Sequence, residues 1–361
     1  MKTSILIISY VPPYNRQGFD IAESLRSVGY DVRLYQMNGT SDKSKNIIGV
    51  KCTKPHGAFH KFHMILNLMR FLFRTLFRKK DIVICIGKPM LILGGFYNIF
   101  FRSKLIWYSL EYSKLGALDR FVYQKCVSGY IDVEENRREA IFAEYGGKAK
   151  SLVCYNMPNL RTKSIVGGKL RNYLKKECGL IGDEQLIIYA GSYQSYACLD
   201  NIIKVSQSFD ENRKLVLMMY GIPDHLKSLS KKCIVVPPVH GKDFYEWLSD
   251  ADCALLPYES KDDFNVQNCS PQKIFDCYCV GVPYIASNRP LIRKCLAPYP
   301  DAGIVCDFTN IDDIKTKIET LLSNQLDRRT TMQTLHKERF NYGVFREKIE
   351  SLINSVLEKE T

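Results

Sequence analysis

One segment concentrates residue types that can bind phosphate. From Asn268 to Ser287 the chain reads N-C-S-P-Q-K-I-F-D-C-Y-C-V-G-V-P-Y-I-A-S. Ser270 is placed to cap a helix that starts at Pro271. A serine oxygen accepts from orphaned first-turn amides, and proline lacks the N–H that would be orphaned there. Such an N-terminus presents free amides and the positive end of the helix dipole, which suits a diphosphate, and Lys273 adds a full positive charge. Asp276 follows one turn later, and Gly281-Val282-Pro283 turns the chain into a buried strand. The same spacing describes any well-capped helix–turn–strand unit, so from spacing alone both readings stand.

Four further motifs precede this segment in order. Ile188-Tyr189-Ala190-Gly191-Ser192 reads as a strand and glycine turn, and Leu217-Met218-Met219-Tyr220-Gly221 as a second strand. Pro237-Pro238-Val239-His240-Gly241 reads as a loop, and Phe244 to Tyr258 runs F-Y-E-W-L-S-D-A-D-C-A-L-L-P-Y. Over about residues 186–290 the set resembles the donor half of retaining glycosyltransferases of family four, in the variant S-P-x-K-x-F-E-Y-x-x-x-G-x-P-x-I-A-S. The resemblance implies the GT-B fold and a nucleotide-sugar donor linked to UDP or GDP. It places Gly191, Ser192, Tyr220, Gly221, Val239, His240, Ser270, Pro271, Gln272, Lys273 and Asp276 around that donor, with Val239 and His240 in the base-contacting loop.

The family pattern has two glutamates eight positions apart, and here those positions are Asn268 and Asp276. Asp276 keeps an acceptor for ribose hydroxyls with a shorter reach, whereas Asn268 can hydrogen-bond a sugar hydroxyl but brings no charge. The lysine that often follows the first glycine turn has no counterpart in Tyr193-Gln194-Ser195-Tyr196. Stabilising the departing diphosphate is then left to the helix amides, Lys273 or a basic residue from the other domain. By the same resemblance transfer is retaining and needs neither metal nor cofactor. Asp250-Ala251-Asp252, a D-x-D sequence, falls where a helix packs into a strand.

The first half carries the resemblance more thinly. Leu105 to Tyr112 stands where relatives have a strand ending in a His-Glu or His-Asp pair, with Leu110 at the histidine position and Glu111 kept. Glu111 is a candidate to orient an acceptor hydroxyl or act as base, and equally a surface or capping charge. Asn156-Met157-Pro158 resembles the turn that ends the first domain. Arg16 and Gly18 lie in the loop Pro12–Phe19, which in relatives meets donor and acceptor; an ordinary strand-to-helix loop uses similar residues.

These residues need a scaffold, and the pattern supplies one. Short apolar runs alternate with helical patterns: Ser4–Ser9, Ile82–Ile86, Leu105–Tyr108 and Gly129–Val133 in the first half, Leu186–Ala190, Leu215–Tyr220, Cys253–Leu256 and Pro283–Ala286 in the second. Alternation of this kind argues for parallel sheets covered by helices. The expected architecture is α/β: two Rossmann-like, doubly wound domains facing a central cleft. By the resemblance, residues 1–160 would bind the acceptor and 161–340 the nucleotide sugar, while 341–361 cross back as a helix.

The chain has 361 residues and a net charge of +13. Residues 1–160 hold 24 Lys and Arg against 12 Asp and Glu, and the remainder is nearly balanced. A basic half attracts anionic lipid, nucleic acid or a diphosphate substrate. No finger or helix-turn-helix spacing appears, so nucleic acid is not expected. Between His60 and Lys80 the polar residues His63, Asn67, Arg70, Arg74 and Arg78 form one stripe on an otherwise apolar helix. That pattern suits the surface of an anionic membrane and also suits a helix buried on three sides. No run is long enough to span a bilayer, and no signal peptide is read at the start. The expected location is cytoplasmic, peripheral on the inner face of the membrane, and the resemblance implies a lipid-linked or oligosaccharide acceptor in capsule or lipopolysaccharide synthesis. The 13 cysteines are scattered singly and read as reduced thiols. Two other readings are a nucleotide-sugar epimerase and a non-catalytic, nucleotide-binding subunit of a polysaccharide assembly complex.

Overall fold

A computed structural model describes residues 3–10, 17–37, 41–42, 46–50, 79–158, 165–324 and 328–358. The chain divides into two units. The first comprises Met1–Asn156 with Tyr342–Thr361, and the second Met157–Asn341.

In the first unit the strands are β1 (Ser4–Tyr10), β2 (Asp31–Met37), β3 (Ile47–Val50), β4 (Ile82–Ile86), β5 (Lys104–Tyr108), β6 (Val127–Asp132) and β7 (Lys150–Val153). They form one parallel sheet in the order β3-β2-β1-β4-β5-β6-β7. Helices cover both faces of such a sheet, so its central strands are apolar throughout: every residue of β4 is buried. One face is filled by aromatic rings, with Trp107 lying 5.1 Å from Tyr130 and 5.7 Å from Tyr123 between ring centroids. The C-terminal helix Tyr342–Leu357 packs in this unit, where Leu352 and Val356 close over Gly129 of β6. A side chain at Gly129 would crowd Ile106 and that helix, and one of them would have to give.

In the second unit the strands are β8 (Gln185–Ala190), β9 (Arg213–Met218), β10 (Ile234–Val236), β11 (Cys253–Leu256), β12 (Tyr284–Ser287) and β13 (Gly303–Cys306). All are parallel, in the order β10-β9-β8-β11-β12-β13. The chain winds outward one way through β9 and β10, then returns to add β11 on the other side of β8. Ligands of doubly wound sheets bind at this switch point, beyond the carboxyl ends of the strands. Every described cysteine is a free thiol, most of them buried among apolar side chains.

Candidate functional site

The helix Gln272–Val280 is the crossover between β11 and β12, so its first turn stands at the carboxyl edge of the sheet beside the switch point. The helix begins one residue later than the sequence suggests. Pro271, with extended backbone, occupies the cap position, no side chain caps the end, and Ser270 lies before it. The amides of Gln272 and Lys273 precede the first helical hydrogen bonds and belong to the orphan donors of a helix start.

Lys273 reaches from that turn to the end of β8. A Cβ added to Gly191 would lie 2.7 Å from its Nζ, and the amine sits 5.3 Å from the centre of the Tyr189 ring. Gly191 thus leaves room for the amine where it lies. Lys273 also borders a cavity of about 10 Å³, room for one water, whose other walls include Ile188, Ala190, Phe244, Leu248 and Cys277. Burial against these apolar walls lowers the Lys273 pKa to about 8, while the neighbouring Asp276 and Cys277 oppose the shift. A poorly solvated cation with few partners is suited to an incoming anion.

Asp276 is buried at 3 % exposure, and its Oδ1 accepts from Tyr245 Oη at 2.9 Å and from Gln272 Nε2 at 3.5 Å. The carboxylate is thus part of an internal network on the same helix. Asn268 closes the short helix Phe264–Gln267 by donating Nδ2 to Phe264 O at 3.1 Å and is itself buried. Its amide serves the loop that leads to Pro271. Ser192 is exposed just past the Gly191 turn, with its carbonyl accepting from Tyr189 Oη at 2.7 Å.

The loops after β9 and β10 meet through side chains. Tyr220 is 76 % exposed, and its Oη lies 3.3 Å from His240 Nε2. Gly221 is exposed and Val239 half-buried beside them. A second pair, Tyr193 and His225, stands 3.4 Å apart between Oη and Nε2, with Asp200 Oδ2 3.8 Å from the same imidazole nitrogen. Tyr189, Tyr245 and His225 were not singled out from the sequence. Tyr189 is readable in hindsight as the strand residue two before the glycine turn. Tyr245 is not, because its partner is 31 positions away.

The D-x-D sequence is structural. Asp250 caps the helix Lys169–Cys178, accepting from the amides of Leu170 at 2.7 Å and Arg171 at 3.1 Å. Asp252 accepts from Arg171 Nη2 at 2.9 Å and the Leu186 amide at 2.8 Å. Among the described residues no group of acidic, histidine or cysteine side chains could hold a metal ion.

In the first unit Glu111 is exposed just past β5, on a loop held by Ser109 Oγ donating to Glu111 O at 3.0 Å and by Arg137 Nη1 donating to Leu110 O at 3.0 Å. Gly18 is buried, and a Cβ there would meet Ser9 Oγ at 2.8 Å. Its close approach is therefore helix against strand β1. Arg16 and the stripe Arg70, Arg74 and Arg78 lie outside the described residues. No described helix is long and apolar enough to cross a membrane.

Residues 171–339, nearly all of the second unit, match the family described as glycosyl transferases group 1. No curated protein matches the chain. Among solved structures it is similar to sucrose-phosphate synthase from Thermosynechococcus elongatus, at 12 % identity over 98 % of this chain and 99 % of that one, with a TM-score of 0.74. HepE from Anabaena in complex with UDP-glucose matches at 11 % identity over 98 % and 99 %, TM-score 0.73. WaaG, a glycosyltransferase involved in lipopolysaccharide biosynthesis, matches at 13 % identity over 97 % and 99 %, TM-score 0.67. At these identities the structural likenesses carry the fold, and the family match carries the chemistry of the second unit. The chain has the fold of these GT-B proteins, and its residues 171–339 match glycosyl transferases group 1.

Proposed function

We propose that the protein transfers a hexosyl group from a nucleoside-diphosphate sugar to a lipid-linked saccharide, with retention at the anomeric carbon and without a metal, at the inner face of a membrane where surface polysaccharide is built. The observation that carries this reading is the Lys273 amine seated against Gly191, at the start of the helix Gln272–Val280. As the bond from the anomeric carbon to the diphosphate oxygen breaks, negative charge grows on that oxygen. A nearby cation and helix-start amides stabilise it more in the transition state than in the bound donor. The bond to the acceptor oxygen forms on the same face as that bond breaks, the acceptor's hydroxyl proton passes to the departing diphosphate oxygen, and Glu111 is offered as the group that orients the hydroxyl. Tyr220 and His240, exposed together beyond β9 and β10, are offered to the base.

The donor class draws support from HepE, solved with UDP and with UDP-glucose. The acceptor class draws on WaaG and on the lipopolysaccharide outer core galactosyltransferase WaaB. The epimerase and non-catalytic readings are not favoured beside the group 1 match of the second unit. Turnover of UDP- and GDP-sugars in excess EDTA, with the anomeric configuration of product read by NMR, tests the proposal. Metal-free release of nucleoside diphosphate that is lost in Lys273→Met is expected. An absolute need for divalent metal, or an inverted product, would overturn the corresponding part.

A further inference from the structure

The helix Lys88–Phe101 carries no acidic residue and, after Lys88, no basic one. Its inner side is pressed against the first unit: a Cβ on Gly94 would overlap Cys85 and Leu105, and one on Gly95 would overlap Val122 of the helix Ala117–Cys126. A surface helix packed in this way normally turns polar residues outward. Here the outward stripe is Ile92, Phe96, Ile99 and Phe100, with Ile99 56 % and Phe100 63 % exposed. The neighbouring helix adds Leu118 at 50 % and Phe121 at 51 %. Exposed apolar residues are ordinary when single, but an apolar stripe continued onto a second helix marks an interaction surface.

Its rim is cationic. Residues 88–126 contain Lys88, Arg102, Lys104, Lys114, Arg120 and Lys125 against only Glu111 and Asp119. All of these cations but Lys88 are exposed. Pairing of this face with a second copy of itself would bring the two basic rims together, which charge repulsion opposes. We infer that the face formed by Ile92, Phe96, Ile99, Phe100, Leu118 and Phe121 docks on an anionic bilayer. The rings and aliphatic chains enter the headgroup boundary, and the rim cations meet lipid phosphates. The choice of a bilayer as occupant rests on the membrane reading above, while the face itself stands on the geometry of the first unit.

The test is co-sedimentation of the full chain with vesicles of phosphatidylcholine, alone or with phosphatidylglycerol, for wild type, for Phe100→Ser with Phe121→Ser, and for Arg102→Gln with Arg120→Gln. Unchanged melting temperature and unchanged thermal response to nucleotide show that each variant is folded. Partition of wild type into anionic vesicles should fall on the order of tenfold in the Phe pair. The Arg pair should weaken binding to anionic vesicles alone, and its difference from wild type should shrink as salt is added. Undiminished partition of the Phe pair would overturn this face and leave the membrane reading standing on another surface. No partition of wild type would overturn both. A concentration-dependent dimer abolished in the Phe pair, without vesicle binding, would reassign the face to self-association.

Discussion

Raising the pH should weaken donor binding through one group. The Lys273 amine has a pKa of about 8 because its walls are apolar. A phosphate oxygen about 4 Å away, at an effective dielectric of about 20, adds about 4 kcal/mol, or about three pKa units, in favour of the charged form. The complex thus holds its proton well past the pH at which the free protein releases it. The sign follows: the complex binds more protons than the free protein above pH 8, so affinity falls as pH rises. The charged fraction of free Lys273 drops from about three quarters at pH 7.5 to about a tenth at pH 9, an affinity loss of about eightfold. Titration calorimetry with a nucleotide sugar reads this directly, since neither ester phosphate titrates in that range. Near pH 8, buffers of different ionisation enthalpy should reveal uptake of about half a proton. Constant affinity from pH 7.5 to 9, or the same pH dependence in Lys273→Met, would refute the reasoning.

Three further outcomes are expected. Gly191→Ala places its methyl 2.7 Å from Lys273 Nζ, so the flexible amine swings away at little cost in stability, and nucleotide affinity should fall about tenfold with melting temperature nearly unchanged. Gly281→Ala should instead destabilise by about 1–3 kcal/mol in denaturant titration, because Gly281 ends the site helix at φ +75° and a Cβ there would meet the Arg329 backbone at 2.8 Å. His336 is buried, with its pKa lowered from 6.5 to about 4 by burial. The unfolded chain therefore takes up that proton first, and stability should drain away as pH falls from 6.5 toward 4. His336→Leu should remove about 2 kcal/mol of that acid loss when urea unfolding is compared at pH 7 and pH 4.5.

The sequence makes the scaffold readable where the signal is local. Buried parallel strands must be apolar along their whole length, so Ile82–Ile86 and Cys253–Leu256 are bounded by their own composition. The start of the helix Gln272–Val280 is off by one because a proline fits both the cap and the first helical position. β3 and β13 escape notice because a glycine interrupts Ile47–Val50 and another opens Gly303–Cys306, which shortens the apolar run. The site itself is legible as a motif and illegible as a geometry. Lys273 and Gly191 meet across 82 positions, and Asp276 finds Tyr245 across 31, through helix packing that no local pattern encodes. Asp276 thereby reads in sequence as an open acceptor and stands in the structure inside a hydrogen-bonded network. The apolar outer stripe of Lys88–Phe101 looks in sequence like one more buried helix, and only the positions of Gly94 and Gly95 tell which side faces inward.

The most direct measurement is thermal shift of the purified chain with UDP, GDP, CDP and ADP and their sugars, for wild type and Lys273→Ala. Stabilisation of wild type by one base, lost in Lys273→Ala and accompanied by slow release of that nucleoside diphosphate from its sugar, is the expected result. No stabilisation of wild type by any of them would contradict the assignment of the donor site to Lys273 and Gly191.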